Sequence, residues 1–148
     1  MGAMQRNKGK SGEREVADLF KLIHERVGYV SKGTHGEEVP VGRNHSQAEK
    51  GGHDIVGVYV FAPEVKRVAK RPTEGTLEVW WTQAVEQAEE VKRLPLVVYR
   101  ANHQRWKCLV PVKLPYAPEV GLSEYTMGEL TWERFADYYE RLLWEAGV

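Results

Sequence analysis

The fold is decided by Gly51-Gly52-His53-Asp54-Ile55-Val56-Gly57, followed by Ala62-Pro63-Glu64-Val65-Lys66-Arg67. The surrounding segments 54–59 and 61–68 are rich in Val and Ile, and each is short enough to be a strand. Only a tight connection fits between them, so the sequence predicts an antiparallel hairpin. Pro63 lacks an N–H for the ladder and therefore favours an edge position or a bulge.

Three charged residues meet on this hairpin. Asp54 opens the first strand, and Glu64 and Lys66 lie two apart on the second, so their side chains share a face. Hard divalent cations such as Mg²⁺ prefer oxygen ligands, and a bound ion activates water and polarises a phosphoryl oxygen. Lys66 would orient or deprotonate that water and stabilise charge on the phosphate. The pattern indicates metal-assisted phosphodiester hydrolysis, although a surface ion pair on an edge strand would have the same spacing.

Helices are expected on both sides of this hairpin. Residues 12–27 carry apolar side chains three and four apart, which predicts an amphipathic helix with Ser11 as its N-cap. Glu13 lies near the inner edge of that helix and offers a third carboxylate. A second helix is predicted at 80–92, where Gln83 and Gln87 lie four apart on one face and could reach a phosphate or a metal-bound water.

The remaining segments complete an α/β pattern. Residues 31–53 read as one long loop, residues 96–99 and 106–112 as a second hairpin, and Thr131 as the cap of a last amphipathic helix. The expected order is α-ββ-α-ββ-α. We therefore expect a central mixed β-sheet of two hairpins flanked by helices.

Length and composition suit one domain over residues 1–148, because 148 residues with 42% hydrophobic content can bury one core. Residues 1–3 resemble a cloning remnant, and residues 117–148 read as an acidic C-terminal helical extension. No apolar run approaches the roughly 18 residues of a membrane span, and no secretory signal is recognisable. Together with the single Cys108, this predicts a cytoplasmic protein with no membrane contact.

Several strings resemble one nuclease superfamily. Lys8-Gly9-Lys10-Ser11-Gly12-Glu13-Arg14-Glu15 before a helix, then the Gly-Gly-x-Asp-Ile and Glu-Val-Lys motifs, resembles archaeal Holliday-junction resolvases and related PD-(D/E)XK nucleases. Arg43-Asn44-x-x-Gln47 and Trp80-Trp81-x-Gln83-Ala84-x-x-Gln87-Ala88 are similar to small phage and prophage nucleases described as Holliday-junction resolvases. The likeness covers about residues 8–112. It departs at Tyr59-Val60-Phe61, where the family often has a Gly-containing turn.

The resemblance implies a restriction-endonuclease-like core and an Mg²⁺-dependent endodeoxyribonuclease without an organic cofactor, with Mn²⁺ as a possible substitute. It implies Glu13, Asp54, Glu64 and the Val65 carbonyl as metal ligands, Lys66 as the catalytic lysine and Gln83 as a supporting glutamine. Basic and polar groups around the motif would bind DNA phosphates. These groups are Lys8, Lys10, Arg14, Arg43, Asn44, Gln47, Lys50, Arg67 and Lys70.

The favoured substrate is branched, four-way DNA, and two coordinated cuts would require a two-fold symmetric homodimer acting in DNA recombination. A nonspecific or nicking nuclease would use the same residues, as would a catalytically silent DNA-binding module. A zinc site of His35, His45 and His53 is disfavoured by their spacing and the lack of cysteine ligands. Trp80-Trp81 could stack on a base, but at least one of the two is better explained as a core residue.

Overall fold

The computed structural model describes residues 3–45, 52–112 and 126–147, with side chains from residue 9 onward. Its helices are α1 (Ala3–Val27), α2 (Glu74–Val91) and α3 (Trp132–Glu145). Two-residue strands come first: β1 (Ser31–Lys32), β2 (Glu38–Val39), β3 (Gly42–Arg43) and β4 (Ile55–Val56). The longer strands are β5 (Phe61–Val68), β6 (Leu94–Ala101), β7 (Lys107–Val112) and β8 (Thr126–Thr131).

The main sheet is four-stranded and mixed, in the order β5-β6-β7-β8. β5 and β6 are parallel because α2 connects them, with Glu64 level with Val97, whereas β6–β7 and β7–β8 are antiparallel. The predicted α/β class, mixed sheet and flanking helices are confirmed. Pro63 lies on β5, an outer strand, where its missing N–H interrupts no ladder.

Two hydrophobic clusters cover the two faces of this sheet. Val65 of β5 packs in one cluster with Phe20 of α1 and Phe135 of α3. Val97 of β6 packs in the other with Trp80 of α2. Since side chains alternate along a strand, Glu64 and Lys66 face the α2 side.

The first predicted hairpin is wrong. β4 pairs antiparallel with β3, not with β5, and forms a separate two-stranded ribbon. Between β4 and β5 the chain turns at Gly57 (φ 82°) and at Val60 (φ 53°). A Cβ at Gly57 would lie 2.7 Å from the Pro40 carbonyl oxygen, so the chains cross where only glycine fits. The expected α-ββ-α-ββ-α order is replaced by one helix, five strands, one helix, three strands and one helix among the described residues.

Three further boundaries differ from the sequence prediction. α1 begins at Ala3, so Ser11 lies inside the helix and accepts a hydrogen bond from Arg67 instead of capping it. α2 begins six residues earlier than expected, after the N-cap Thr73. The second hairpin, β6–β7, and the Thr131 cap of α3 are confirmed.

Residues 117–148 are not only a helical extension. Residues 126–131 form β8, and α3 buries Phe135, Tyr139 and Leu143 in the cluster shared with α1. None of the helices in the described part of the chain is long and apolar enough to cross a membrane.

Candidate active site

Two buried carboxylates lie together at the outer edge of β5. Asp54 is 7% exposed and Glu64 is 5% exposed. The Asp54 N–H donates to the Pro63 carbonyl at 2.9 Å, and Asp54 Oδ2 accepts from the Val65 N–H at 2.7 Å. Asp54 is therefore bonded to the backbone of Pro63 and of Val65, the two residues that flank Glu64 in the chain. The predicted hairpin is absent, but these two contacts still hold Asp54 beside Glu64.

The electrostatics of the pair are unfavourable for two ionised carboxylates. The pKa of Glu64 is raised to about 9, mainly by burial and then by the charge of Asp54. A hydrogen bond to Asp54 and the charge of Glu13 contribute to this rise, whereas the charge of Lys66 opposes it. Glu64 Oε1 is buried without a hydrogen-bond partner. Such an arrangement fits a group that brings positive charge and accepts oxygen ligands.

The residues fit a divalent cation only in part. Within residues 3–45, 52–112 and 126–147, no three His, Cys, Asp or Glu side chains are grouped closely enough to hold a metal ion. Asp54 and Glu64 are the two carboxylates in contact, and the Val65 carbonyl leaves β5 on the same edge as the Val65 N–H that binds Asp54. Glu13 is near enough to raise the Glu64 pKa, but its Oε2 accepts from Arg43 Nε at 2.8 Å.

Lys66 and the glutamines differ in their placement. Lys66 is half-buried on the same face as Glu64 and close enough to lower its pKa. Gln83 is exposed and lines a shallow depression with Glu78 and Thr82 on the outer side of α2. No contact described in the structure joins Gln83 to the Asp54–Glu64 pair, and its supporting role stays a prediction. Gln87 is more buried, and its Oε1 has no partner, so it is the α2 glutamine that retains unused hydrogen-bonding capacity.

Of the predicted DNA contacts, Lys10, Arg14 and Lys70 are exposed. Asn44 donates to the His53 carbonyl at 2.9 Å, which anchors the segment that precedes Asp54. The Arg67 guanidinium is hydrogen-bonded within the protein, because it donates to Ser11 and Glu15 of α1. The Lys8 side chain, Gln47 and Lys50 lie outside the described residues.

The structure also places the two tryptophans considered for base stacking and the three histidines considered for a zinc site. Trp80 and Trp81 are 9% and 8% exposed, which confirms their interpretation as core residues. His35 and His45 are exposed, whereas His53 is half-buried with an unpartnered Nδ1. Burial is the largest cause lowering the pKa of His53, followed by the charge of Arg93, and the charge of Asp54 opposes both.

Sequence reasoning missed the role of Glu15. Its carboxylate accepts from Arg67 at 3.2 Å, from Arg100 at 3.4 Å and from Trp106 Nε1 at 3.2 Å. Arg100 also lies 5.2 Å above the Trp106 ring. This network ties α1 to β5 and β6. The only sequence signal was its place beside the apolar stripe of α1, which does not identify a partner.

One comparison with known proteins identifies a family. Residues 4–140 match the model of the family described as "Phage putative PDDEXK endonuclease". Neither a curated protein nor a solved structure shows a significant similarity to the chain. The match covers most of the 148 residues, and Asp54, Glu64 and Lys66 lie within the matched range. The chain therefore belongs to the phage PDDEXK endonuclease family.

Proposed function

We propose that this chain is a divalent-metal-dependent DNA endonuclease whose centre is Asp54, Glu64 and Lys66. The observation that carries the proposal is the buried Asp54–Glu64 pair, in which Glu64 has an unpartnered Oε1 and a pKa of about 9. A buried carboxylate pair is costly to ionise without a counter-charge. The endonuclease family supplies DNA as the substrate class.

Asp54, Glu64 and the Val65 carbonyl would hold Mg²⁺, or Mn²⁺ in its place, and Glu13 would join them if its carboxylate left Arg43. When bound, the cation would supply an activated water and stabilise charge on the phosphate. The Val65 N–H orients the Asp54 carboxylate toward Glu64. Lys66, on the same face as Glu64, would position the attacking water and stabilise the negative charge that develops on the phosphate.

Branched DNA is the proposed substrate, with four-way junctions cut by a symmetric homodimer during DNA recombination. The exposed Lys10, Arg14 and Lys70 support phosphate contacts outside the carboxylate site. Contacts of this kind bind without reading base sequence, so selection would depend on the shape of the DNA.

The test is cleavage of end-labelled linear, nicked, flapped and four-way DNA with Mg²⁺ or Mn²⁺, beside an EDTA control. Asp54→Asn and Lys66→Ala should abolish cutting and retain DNA binding. Asp137→Asn changes an exposed aspartate of α3 and is the matched control that should cut normally.

Symmetric cuts confined to the four-way substrate by a dimer would support the junction-resolving function. Cutting of every substrate would leave a nonspecific or nicking endonuclease. DNA binding with no cutting in either metal would contradict the proposal and identify a silent DNA-binding module.

A further inference from the structure

A groove of about 700 Å³ opens at the N-terminal ends of β5 and β6, outside the carboxylate site. Its described lining contains three tyrosines and three cations and no acidic side chain. These six residues are Tyr29, Tyr59, Tyr138, Lys32, Lys92 and Arg93. The volume lies in the range of sites that enclose small ligands.

We propose that this groove binds a single-stranded segment of DNA. Aromatic faces stack on bases of any sequence, and cations beside them follow the phosphate backbone. Tyr138 is 50% exposed, so its ring is available for a base. Tyr29 and Tyr59 pack edge to face with ring centroids 5.8 Å apart, which gives the groove a fixed aromatic wall.

The cations of the groove are positioned by the backbone around it. Arg93 donates to the Val58 carbonyl at 2.8 Å, and Lys92 ends α2 in the left-handed conformation at φ 56°. Lys32 is paired with Glu38 at 3.5 Å, but both side chains are exposed, so a phosphate can compete for the ammonium group. Charge complementarity therefore favours a polyanion.

The groove is also connected to the carboxylate site. Residues 58–60 line the groove and lie on the segment that joins Asp54 to Glu64 in the chain. Val60, which lines the groove, has φ 53°, a conformation that β-branched residues rarely adopt. Its carbonyl accepts from the Leu94 N–H at 2.8 Å, which holds this strained turn between the two sites.

A single strand in this groove would make flapped or tailed DNA bind more tightly than blunt duplex. The inference rests on DNA as the proposed substrate but not on its cleavage. Binding can therefore be measured in EDTA, by fluorescence anisotropy of a labelled poly-dT oligonucleotide and of a blunt duplex, at several salt concentrations.

Tyr138→Ala tests the stacking surface and should weaken poly-dT binding at least about fivefold, with little effect on the duplex. Its matched control is Trp144→Ala, because Trp144 is a 56% exposed aromatic of the same helix and does not line the groove. Equal poly-dT affinities of these two variants would overturn the proposal.

Lys92→Gly tests the charge and keeps the left-handed backbone that glycine readily adopts. It should reduce the slope of log K against log salt for poly-dT by about 0.7. Arg105→Ala is the control, since Arg105 is exposed beyond the opposite end of β6. An unchanged slope in Lys92→Gly would refute the phosphate contact.

Two combinations of results distinguish the proposal of single-strand binding in the groove from the proposal of endonuclease activity. If the protein cuts DNA while Tyr138→Ala binds poly-dT normally, the groove is refuted and the endonuclease stands. If poly-dT binding depends on Tyr138 but no DNA is ever cut, the groove stands and the endonuclease is refuted.

Discussion

Glu64→Gln should stabilise the metal-free protein at alkaline pH while removing its nuclease activity. Glu64 is 5% exposed, and its pKa rises from 4.5 in the unfolded chain to about 9 in the fold. Between these two values the folded state binds one more proton than the unfolded state. Stability therefore falls as pH rises through this window, by about 1.4 kcal/mol per pH unit at most.

The expected magnitude follows from that window. From pH 4.5 to pH 8 the upper limit is about 5 kcal/mol, and we expect about 2 to 3 kcal/mol because water entering beside an ionised Glu64 lowers its cost. Gln has the shape of the protonated residue and avoids the penalty. For a chain of 148 residues, this corresponds to a melting temperature about 5 to 10 °C higher than that of the unchanged protein at pH 8.

The assay is thermal and urea unfolding of both proteins in EDTA at pH 5, 6.5 and 8. Glu86→Gln, which changes an exposed glutamate of α2, is the control and should follow the unchanged protein at every pH. Adding Mg²⁺ or Mn²⁺ at pH 8 should stabilise the unchanged protein and have little effect on Glu64→Gln. A stability difference between Glu64→Gln and the unchanged protein that does not grow from pH 5 to pH 8 would refute the reasoning.

Three further predictions concern other described contacts. Tyr139→Phe should destabilise the protein by about 1 to 3 kcal/mol in urea unfolding. Its hydroxyl lies 2.8 Å from His24 Nε2 in a buried contact and accepts from the half-buried Tyr59 N–H at 2.9 Å, and both groups would lose this partner. Burial lowers the pKa of His24 from 6.5 to about 4, so the unfolded chain binds the extra proton between these values. Stability should fall by up to about 3 kcal/mol as pH drops through this window. The pH trend of stability from His24 is opposite to that from Glu64, so the measurement is the stability difference between the unchanged protein and His24→Gln at each pH. A difference that does not change with pH would contradict the prediction. Arg43→Ala should free the carboxylate of Glu13, now bound at 2.8 Å, and tighten Mn²⁺ binding in calorimetry about fivefold; unchanged affinity would exclude Glu13 as a ligand.

The sequence alone was sufficient for the α/β class. It also indicated the neighbourhood of the candidate site and limited Pro63 to an edge position or a bulge, of which the structure shows the edge position. These depend on local chemistry: alternation places Glu64 and Lys66 on one face, and proline removes a ladder donor. The motif resemblance led to the family that residues 4–140 match. The sequence also predicted a core position for at least one of Trp80 and Trp81, and the structure buries both.

Pairing partners and burial were decided only by the tertiary structure. Strand β4 pairs with β3 and not with β5, and a Cβ at Gly57 would lie 2.7 Å from the Pro40 carbonyl oxygen. No local signal in 54–59 indicates this pairing. Strand β8 was missed because its strand character depends on pairing with β7. This pairing joins two segments that are separated along the chain, so it leaves no local pattern in the residues before α3.

The same distinction holds for the candidate site. The spacing of Asp54 and Glu64 indicated two convergent carboxylates, but the Glu64 pKa of about 9 depends on burial and on neighbours from other elements. The pairing of Glu13 with Arg43 and the exposure of Gln83 are likewise set by how α1, α2 and the β3–β4 ribbon pack. Residue types and their periodicity determine which groups could form a site, whereas long-range packing decides which of them are desolvated, paired or left in solvent.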